Sequence, residues 1–239
     1  ILYAMAGQDA AAGDAPPAAS PTPTDVAEKD VAEFVWAATG PEGSRLVNPM
    51  VIRISPDRLL WVSDSSGRFF IFDLDGNFVE TWGTAGSGPG QFTFAENGDF
   101  GGFFAFAPDG TLFVADTFNQ RIQHFDRDRT LIGSFGEPGE GDGQFLAPME
   151  IGFDPSGNLV IVDAYRADVQ WFTPDGTFLK RLEFDNAPGG PILWPNGLAV
   201  AADGSIWVGD HDTRRVRHFA SDGQELGELD ASGATPLKT

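Results

Sequence analysis

The sequence predicts an all-β fold made of repeated four-stranded units. Short apolar runs of alternating polarity follow one another along the chain, separated by turns rich in Asp, Gly and Pro. In each unit, one of these runs ends on an aspartate. These aspartates are spaced by 52, 47 and 47 residues, at Asp64, Asp116, Asp163 and Asp210. Four strands in a period of this length are typical of one blade of a β-propeller.

Each repeated unit reads in the same order. An apolar first strand is followed by a Pro-Asp or Asp-Gly turn and by a second strand that ends on the recurring aspartate. A third strand closes on Phe, and a fourth strand follows another turn. The four blades are expected at about 50–83, 102–136, 149–184 and 196–230. Val, Ile, Phe and Trp dominate the strands, so we expect neighbouring blades to stack face to face and bury them.

The first 32 residues differ in composition from the repeats. The stretch 7–24 is rich in Ala, Pro, Thr and Asp and has almost nothing large to bury, which predicts a flexible linker. Ala4-Met5-Ala6 fits the small-x-small pattern at a signal-peptidase site, so residues 1–32 are interpreted as a signal-peptide remnant followed by the linker. The sequence therefore predicts a propeller domain over 33–239 and export to the periplasm or the extracellular space.

Two segments carry a family resemblance. The strand-turn-strand stretch PDGTLFVADTFNQRIQHFD (108–126) and the loop GEGDGQFLAP (139–148) closely resemble the NHL repeat, and GSGPGQF (86–92) repeats the loop. The resemblance covers about 33–230 and implies a six-bladed propeller. More distantly, the chain is similar to the peptidyl-hydroxyglycine amidating lyases and the gluconolactonase-like propellers.

The blade count predicts an incomplete ring. Residues 34–49 align with the fourth strand and loop of later units, so four full blades and one N-terminal strand are visible. We expect one or two blades of a six-bladed ring to be missing. The alternatives are a ring completed by another chain, or a four-bladed ring with a spare strand. Open blade faces would favour self-association.

Composition excludes several classes of partner. The chain of 239 residues has 35 acidic and 15 basic side chains, a formal net charge of −20, which argues against nucleic acid. No Cys is present, so disulfides and thiol chemistry are excluded. The sequence contains no run of 18 apolar residues, so no membrane span is predicted.

Two sets of residues are candidates for a role beyond packing. Asp/Arg pairs recur between the second and third strands and are interpreted as structural cross-strand pairs, with Asp168 where the third unit should have its Arg. These pairs are Asp64/Arg68, Asp116/Arg121 and Asp210/Arg215. The first strands are expected to line the channel, with ligand candidates at Met50, Gly102, Met149, Glu150 and Asn196. His211 is a candidate polar contact in a loop.

The family resemblance bears on metal binding. In the amidating lyases, Pro-His dipeptides at the channel positions supply zinc ligands, and no His occupies those positions here, which disfavours that activity. The PNGLA stretch (195–199) resembles the gluconolactonase-type motif, which implies a divalent cation, Ca²⁺ or Zn²⁺, on Asn196. The partner carboxylate and second Asn of that motif do not appear at matching positions, and Glu150 is one residue away from one, so the alternative is that Asn196 only begins a strand. No other cofactor and no catalytic residue is predicted. Acidic loop residues would suit calcium or a basic ligand, namely Glu96, Asp99, Glu137, Glu140 and Asp142.

The sequence thus favours a non-enzymatic binding or scaffold module for a protein, peptide or glycan. The alternative is a metal-dependent enzyme of the lactonase or amidating-lyase type, with its remaining ligands in the missing blades.

Overall fold

The computed structural model describes residues 46–184, 189–230 and 233–236. The predicted linker over 1–32 lies outside these residues, as does most of the additional strand expected at 34–49. The described residues all belong to one compact unit.

The described residues form four antiparallel sheets, each built in sequence order. The first contains β1 (Pro49–Ile54), β2 (Leu60–Asp64), β3 (Arg68–Phe72) and β4 (Phe78–Trp82). Two short pairs follow, β5 (Thr84–Ala85) with β6 (Gln91–Phe92) and β7 (Ala95–Glu96) with β8 (Asp99–Phe100). The second sheet contains β9 (Phe104–Phe106), β10 (Leu112–Asp116), β11 (Arg121–Phe125) and β12 (Leu131–Phe135), with a 3-10 turn at Thr117–Asn119.

The third sheet contains β13 (Pro148–Phe153), β14 (Leu159–Asp163), β15 (Asp168–Phe172) and β16 (Phe178–Glu183). The fourth contains β17 (Pro195–Val200), β18 (Ile206–Asp210), β19 (Arg215–Phe219), β20 (Glu225–Asp230) and β21 (Gly233–Pro236). The strand β21 was not predicted. It pairs with β20 at the outer edge of the sheet, and its sequence GATP lacks the alternating large apolar residues that mark the other strands.

The sheets pack face to face in sequence order. One buried apolar cluster joins the first sheet to the second, another joins the second to the third, and another joins the third to the fourth. The first strands of the sheets lie side by side, since β9 contacts both β1 and β13, and β13 contacts β17. The prediction of an all-β propeller of four-stranded sheets is therefore confirmed.

Aromatic side chains fill the space between the first two sheets. Phe69 is fully buried and meets Phe92, Phe94 and Phe104 edge-on, with ring centroids 5.5, 5.4 and 5.1 Å apart. Edge-to-face pairs add to the free energy gained by burying such large rings. Each sheet therefore needs a neighbouring sheet, because the apolar side chains on its faces would otherwise be exposed to water.

The four full blades predicted from the repeats are present in the described residues, as the four sheets of four or five strands. The described residues do not support the six-bladed ring to which these blades were expected to belong. Six was inferred from the family resemblance, whereas four is the number of repeats in the residues themselves. Within the described part of the chain, no helix has the length and hydropathy needed to cross a membrane.

Candidate functional site

Antiparallel strands in sequence order place alternate turns at opposite ends of each sheet. We call one end the loop face: it carries the turns between second and third strands and the connections between sheets. The opposite end, the turn face, carries the turns between first and second strands and between third and fourth strands. The recurring aspartates end the second strands, so they lie at the loop face.

The recurring aspartates anchor backbone at the loop face. Asp163 is fully buried and accepts hydrogen bonds from the backbone N–H of Leu146 at 2.7 Å and Ala147 at 2.9 Å, 17 and 16 residues earlier. Asp64 and Asp210 accept the equivalent bonds at the same sequence separations. The second sheet differs, because β7 and β8 lengthen the preceding connection and Asp116 accepts from Thr93, 23 residues earlier. Each carboxylate therefore holds the segment that leads into its own first strand.

The cross-strand pairs require a correction. Asp64 lies opposite Arg68 and Asp210 opposite Arg215 in register, but only Asp116 and Arg121 approach within ion-pair distance, at 2.8 Å. The oxygens of the buried aspartates are already occupied by backbone N–H groups. Arg68 is exposed, and Arg215 pairs instead with Glu228 at 3.2 Å.

The missing arginine of the third unit is supplied from another position. Arg121 Nη2 donates to the carbonyl oxygens of Gly88 and Gln91 in the loop before its sheet. Arg166 Nη1 makes the equivalent bonds to Gly141 and Gln144. The guanidinium thus occupies the same place in both units, although it comes from residue 166 instead of residue 168.

The two GQF loops are structural elements. Gln91 Oε1 accepts the N–H of Gly88 at 3.0 Å, and Gln144 Oε1 accepts that of Gly141 at 2.8 Å. The Phe that follows each Gln is fully buried between sheets, at Phe92 and Phe145. The repeated motif therefore closes a turn and inserts an aromatic plug.

The predicted channel residues differ in burial and in their contacts. Met149 is 5% exposed, and Met50 packs against the core between the first two sheets. Gly102 is buried with a φ of +80°, and a Cβ there would lie 2.7 Å from the Phe94 ring. Asn196 is exposed. The structure thus places the two methionines and the glycine in packing positions and leaves Asn196 alone at the surface.

Glu150 and His211 also have local partners. Glu150 bonds to Arg53 and so links the first strand of the third sheet to that of the first. Burial raises the pKa of Glu150, against the opposing effect of Arg53. His211 Nδ1 lies 3.0 Å from a carboxylate oxygen of Asp212 at the exposed surface. No three His, Asp or Glu side chains of the described residues converge as metal ligands.

Two adjacent cavities at the loop face share Tyr165 and Leu146. One, of about 230 Å³, has Glu96 and Asp99 as its charged lining, and the other, of about 280 Å³, has Glu140, Asp168 and Glu183 together with Arg166. Two of the other predicted acidic loop residues have partners outside these cavities, since Glu137 accepts from Gln144 and Asp142 pairs with Arg181.

Tyr165 connects the cavities to an aromatic surface. It is 43% exposed, its hydroxyl donates to Asp99 Oδ2 at 2.5 Å, and its ring meets Trp194 edge-on at 5.3 Å. The hydrogen bond to Asp99 raises the pKa of Tyr165 to about 12. The phenol therefore stays protonated as a donor at neutral pH. Sequence reasoning missed Tyr165, because its partner Asp99 is 66 residues away.

Asp168 is a buried carboxyl group with unused bonding capacity. Burial raises its pKa to about 7, although the ion pair with Arg166 at 2.9 Å opposes the shift. Its Oδ1 has no hydrogen-bond partner among the described residues. This oxygen is inaccessible to solvent, so a ligand in the neighbouring cavity does not reach it, and the guanidinium of Arg166 lines that cavity as well.

Comparisons with known proteins agree on the fold. No family model matches the chain, and no curated protein matches it in sequence. A protein of unknown function from Bacteroides caccae is 16% identical, with a TM-score of 0.54 over 76% of this chain and 60% of that one. An inactive virginiamycin B lyase from Staphylococcus aureus, solved with quinupristin, is 15% identical, with a TM-score of 0.55 over 79% of this chain and 56% of that one.

The WD40 propeller domain of Doa1 is 14% identical, with a TM-score of 0.52 over 73% of this chain and 51% of that one. The chain thus spans 60% and 56% of the length of the first two structures. These likenesses define the class of protein as a β-propeller. At such identities they show the fold alone.

Proposed function

We propose that this chain is an NHL-type propeller that works outside the cytoplasm as a non-enzymatic binding module. Its ligand is a protein, peptide or glycan, held at the loop face. The observation that carries the proposal is the exposed Tyr165 beside Trp194, flanked by two cavities with acidic linings. Tyr and Trp offer large contact areas at low entropic cost and often dominate binding surfaces.

Charge favours a cationic segment of a protein or peptide over a neutral glycan. Glu96 and Asp99 line the first cavity without any basic side chain, and Glu140, Asp168 and Glu183 line the second against the single guanidinium of Arg166. The net charge of −20 would also attract a basic partner at a distance. A Lys side chain would place its ammonium group near the acidic lining and its stem against the Tyr165 ring.

The NHL assignment within this proposal is supported by the repeated loop contacts. Two successive units use the same Gln-closed turn, the same buried Phe and a guanidinium in the same place. We propose that these units belong to a ring of the six-bladed NHL type. Export rests on the Ala4-Met5-Ala6 pattern and is tested by fractionating cells that express the gene.

Peptide titration tests the binding proposal. Gly-Lys-Gly-Lys-Gly is expected to bind the full chain, with Gly-Glu-Gly-Glu-Gly and chitotriose binding at least about tenfold more weakly. Tyr165→Ala should abolish binding of the basic peptide. Leu179→Ala is the matched control, because Leu179 is 47% exposed on the third sheet away from the loop face.

Three results would overturn the proposal. The first is equal binding of the acidic and basic peptides, and the second is binding that survives Tyr165→Ala. The third is stoichiometric zinc or calcium in the purified protein, which would favour the metal-dependent lactonase or amidating-lyase alternative.

A further inference from the structure

The outer edge of the second sheet differs from those of its neighbours. In the first three sheets the fourth strand forms the outer edge, and in the second sheet this strand, β12, has the sequence LIGSF without a charged residue. The corresponding strands β4 and β16 contain one and three charged residues. Charges on an edge strand hinder its pairing with another chain. The outer side of β12 therefore lacks this protection, and no strand of the described residues pairs with it.

The fourth sheet shows how an edge of this kind is covered. The short strand β21 pairs antiparallel with β20 along the four residues from Gly227 to Asp230. Gly227 lies opposite His218 of the third strand, and in the second sheet Gly133 lies opposite His124 in the same way. The residues of β12 that correspond to the covered part of β20 therefore begin at Gly133.

Gly133 leaves room for a strand beside β12. At the equivalent position the first and third sheets carry the long charged side chains of Glu80 and Lys180. A Cβ on Gly133 would come within 4 Å only of the Cβ of His124, at 3.7 Å, so the space around it is otherwise open. A glycine inside a strand often marks a place where another backbone approaches closely. The second sheet thus shares this glycine with the one sheet whose fourth strand is already paired on its outer side.

A groove of about 350 Å³ lies beside the same edge, between β12 and the turn 173–177 at the turn face of the third sheet. Its apolar lining is formed by Ile132, Phe135 and Pro174. Ile132 is the extra residue of a β-bulge and is 55% exposed, so a ligand can reach it directly. The polar part of the lining is formed by His124, Ser134 and Asp175. A strand added along β12 would direct alternate side chains to one face, where this groove can receive one.

We propose that β12 binds an extended, uncharged segment of another protein, which joins the second sheet as an antiparallel fifth strand. The backbone of the segment pairs with residues 133–135, and an apolar side chain packs against Ile132 and Pro174. Strand addition of this kind takes its affinity from main-chain hydrogen bonds and its selectivity from pockets for alternate side chains. The segment is uncharged like the sequence GATP of β21, which covers the equivalent edge. The net charge of −20 opposes docking of a second copy of this chain.

The probe for the test is the peptide Thr-Val-Thr-Val-Thr, with both termini blocked and a fluorophore attached. It is uncharged, so it lacks the ammonium groups that the loop face is proposed to bind. Fluorescence anisotropy with the full chain should give a Kd of about 100 μM or lower. The same peptide with every backbone nitrogen methylated keeps the side chains but loses the backbone donors. It should bind at least about tenfold more weakly.

Variants locate the site. Gly133→Lys gives β12 the side chain that β16 has at the equivalent position and should weaken binding about tenfold or more. Thr81→Lys is the matched control, because it adds the same charge at an exposed position of the outer strand of the first sheet and should leave the Kd unchanged. Ile132→Ser removes an exposed apolar contact and should weaken binding about fivefold. It decides the matter if Gly133→Lys does not fold.

Four results would overturn the inference. The first is equal binding of the methylated and unmethylated peptides, and the second is an unchanged Kd in Gly133→Lys or Ile132→Ser. The third is a dimer of the free protein that Gly133→Lys dissociates, which would make a second copy the occupant. The fourth is loss of binding in Tyr165→Ala, which would place the probe at the loop face. Failure of the basic peptide to bind there would leave these results untouched, so this inference and the proposed function fail independently.

Discussion

Asp163→Ala isolates the backbone anchoring that the recurring aspartates provide. The wild-type carboxylate accepts the N–H groups of Leu146, Ala147, Tyr165 and Arg166 at 2.7, 2.9, 3.2 and 3.2 Å. The alanine variant leaves these donors without an acceptor at the boundary between two sheets. We therefore expect both the second-to-third-strand turn and the segment before β13 to loosen.

The magnitude follows from burial and bond length. Each short bond to a charged acceptor contributes about 1.5–3 kcal/mol, and the longer pair contributes less. Burial of the carboxylate opposes this gain, as the raised pKa of Asp163 indicates. We expect a net loss of about 3 kcal/mol in the free energy of unfolding.

The assay is urea unfolding of the full chain at pH 7, followed by circular dichroism and by Trp fluorescence. With an m-value of about 3 kcal/mol/M for a chain of this size, the midpoint should fall by about 1 M at unchanged m. Coincidence of the two transitions supports the two-state treatment.

Asp154→Ala is the matched control. The Asp154 carboxylate also accepts backbone N–H bonds, from Ser156 at 2.8 Å and Asn158 at 3.0 Å, but in a solvated turn. Water can accept these hydrogen bonds in place of the carboxylate, so Asp154→Ala should cost at most about 1 kcal/mol. If the two variants lose the same stability, or if Asp163→Ala loses less than about 1 kcal/mol, burial is not the reason for the recurring aspartate.

Three further predictions address other sites. The pKa of Asp168 rises from 3.8 to about 7 on folding, so the folded state holds an extra proton between these values and stability falls as pH rises through them. Asp168→Asn should reduce this dependence of stability on pH, so that the variant is more stable than wild type at about pH 8 but not at about pH 4. Urea unfolding at both pH values measures the difference. Gly102→Ala should cost about 2–3 kcal/mol in urea unfolding, because a Cβ would meet an aromatic ring, whereas Gly98→Ala, with open space at a similar φ of +95°, should cost about 1 kcal/mol. Arg217→Met breaks a buried pair with Glu225 and should cost about 3 kcal/mol, most of which the added change Glu225→Leu should restore; a double variant no more stable than the single one would contradict this.

The repeat pattern was sufficient to predict the class of fold and the position of the recurring aspartates, because each strand and turn is specified by a few adjacent residues. The role of those aspartates was not predictable in the same way. The ion-pair interpretation holds for Asp116 and Arg121, whereas backbone N–H groups, which carry no signal in a sequence, are the main partners of Asp64 and Asp210. In the third unit, Arg166 lies two residues before Asp168, which occupies the position of Arg121 in the second unit. This nearby arginine was the one sign in the sequence that the guanidinium of the third unit comes from a different position.

Candidate sites were less predictable than elements. Met149 and Gly102 were placed on the channel by counting from turns, which did not indicate that Met149 is only 5% exposed or that Gly102 adopts a φ of +80° against the Phe94 ring. Counting residues locates a position along a strand, whereas side-chain direction depends on local backbone geometry.

The sequence by itself determined that short alternating strands recur in fours and that no single unit buries both of its faces, since periodicity and turn chemistry are local properties of the chain. Only the tertiary structure decided which groups meet: Tyr165 with Asp99, Glu150 with Arg53, and Trp61 with Arg129. These contacts join residues from different sheets, and they depend on how two packed surfaces are offset, which the spacing along the chain does not encode.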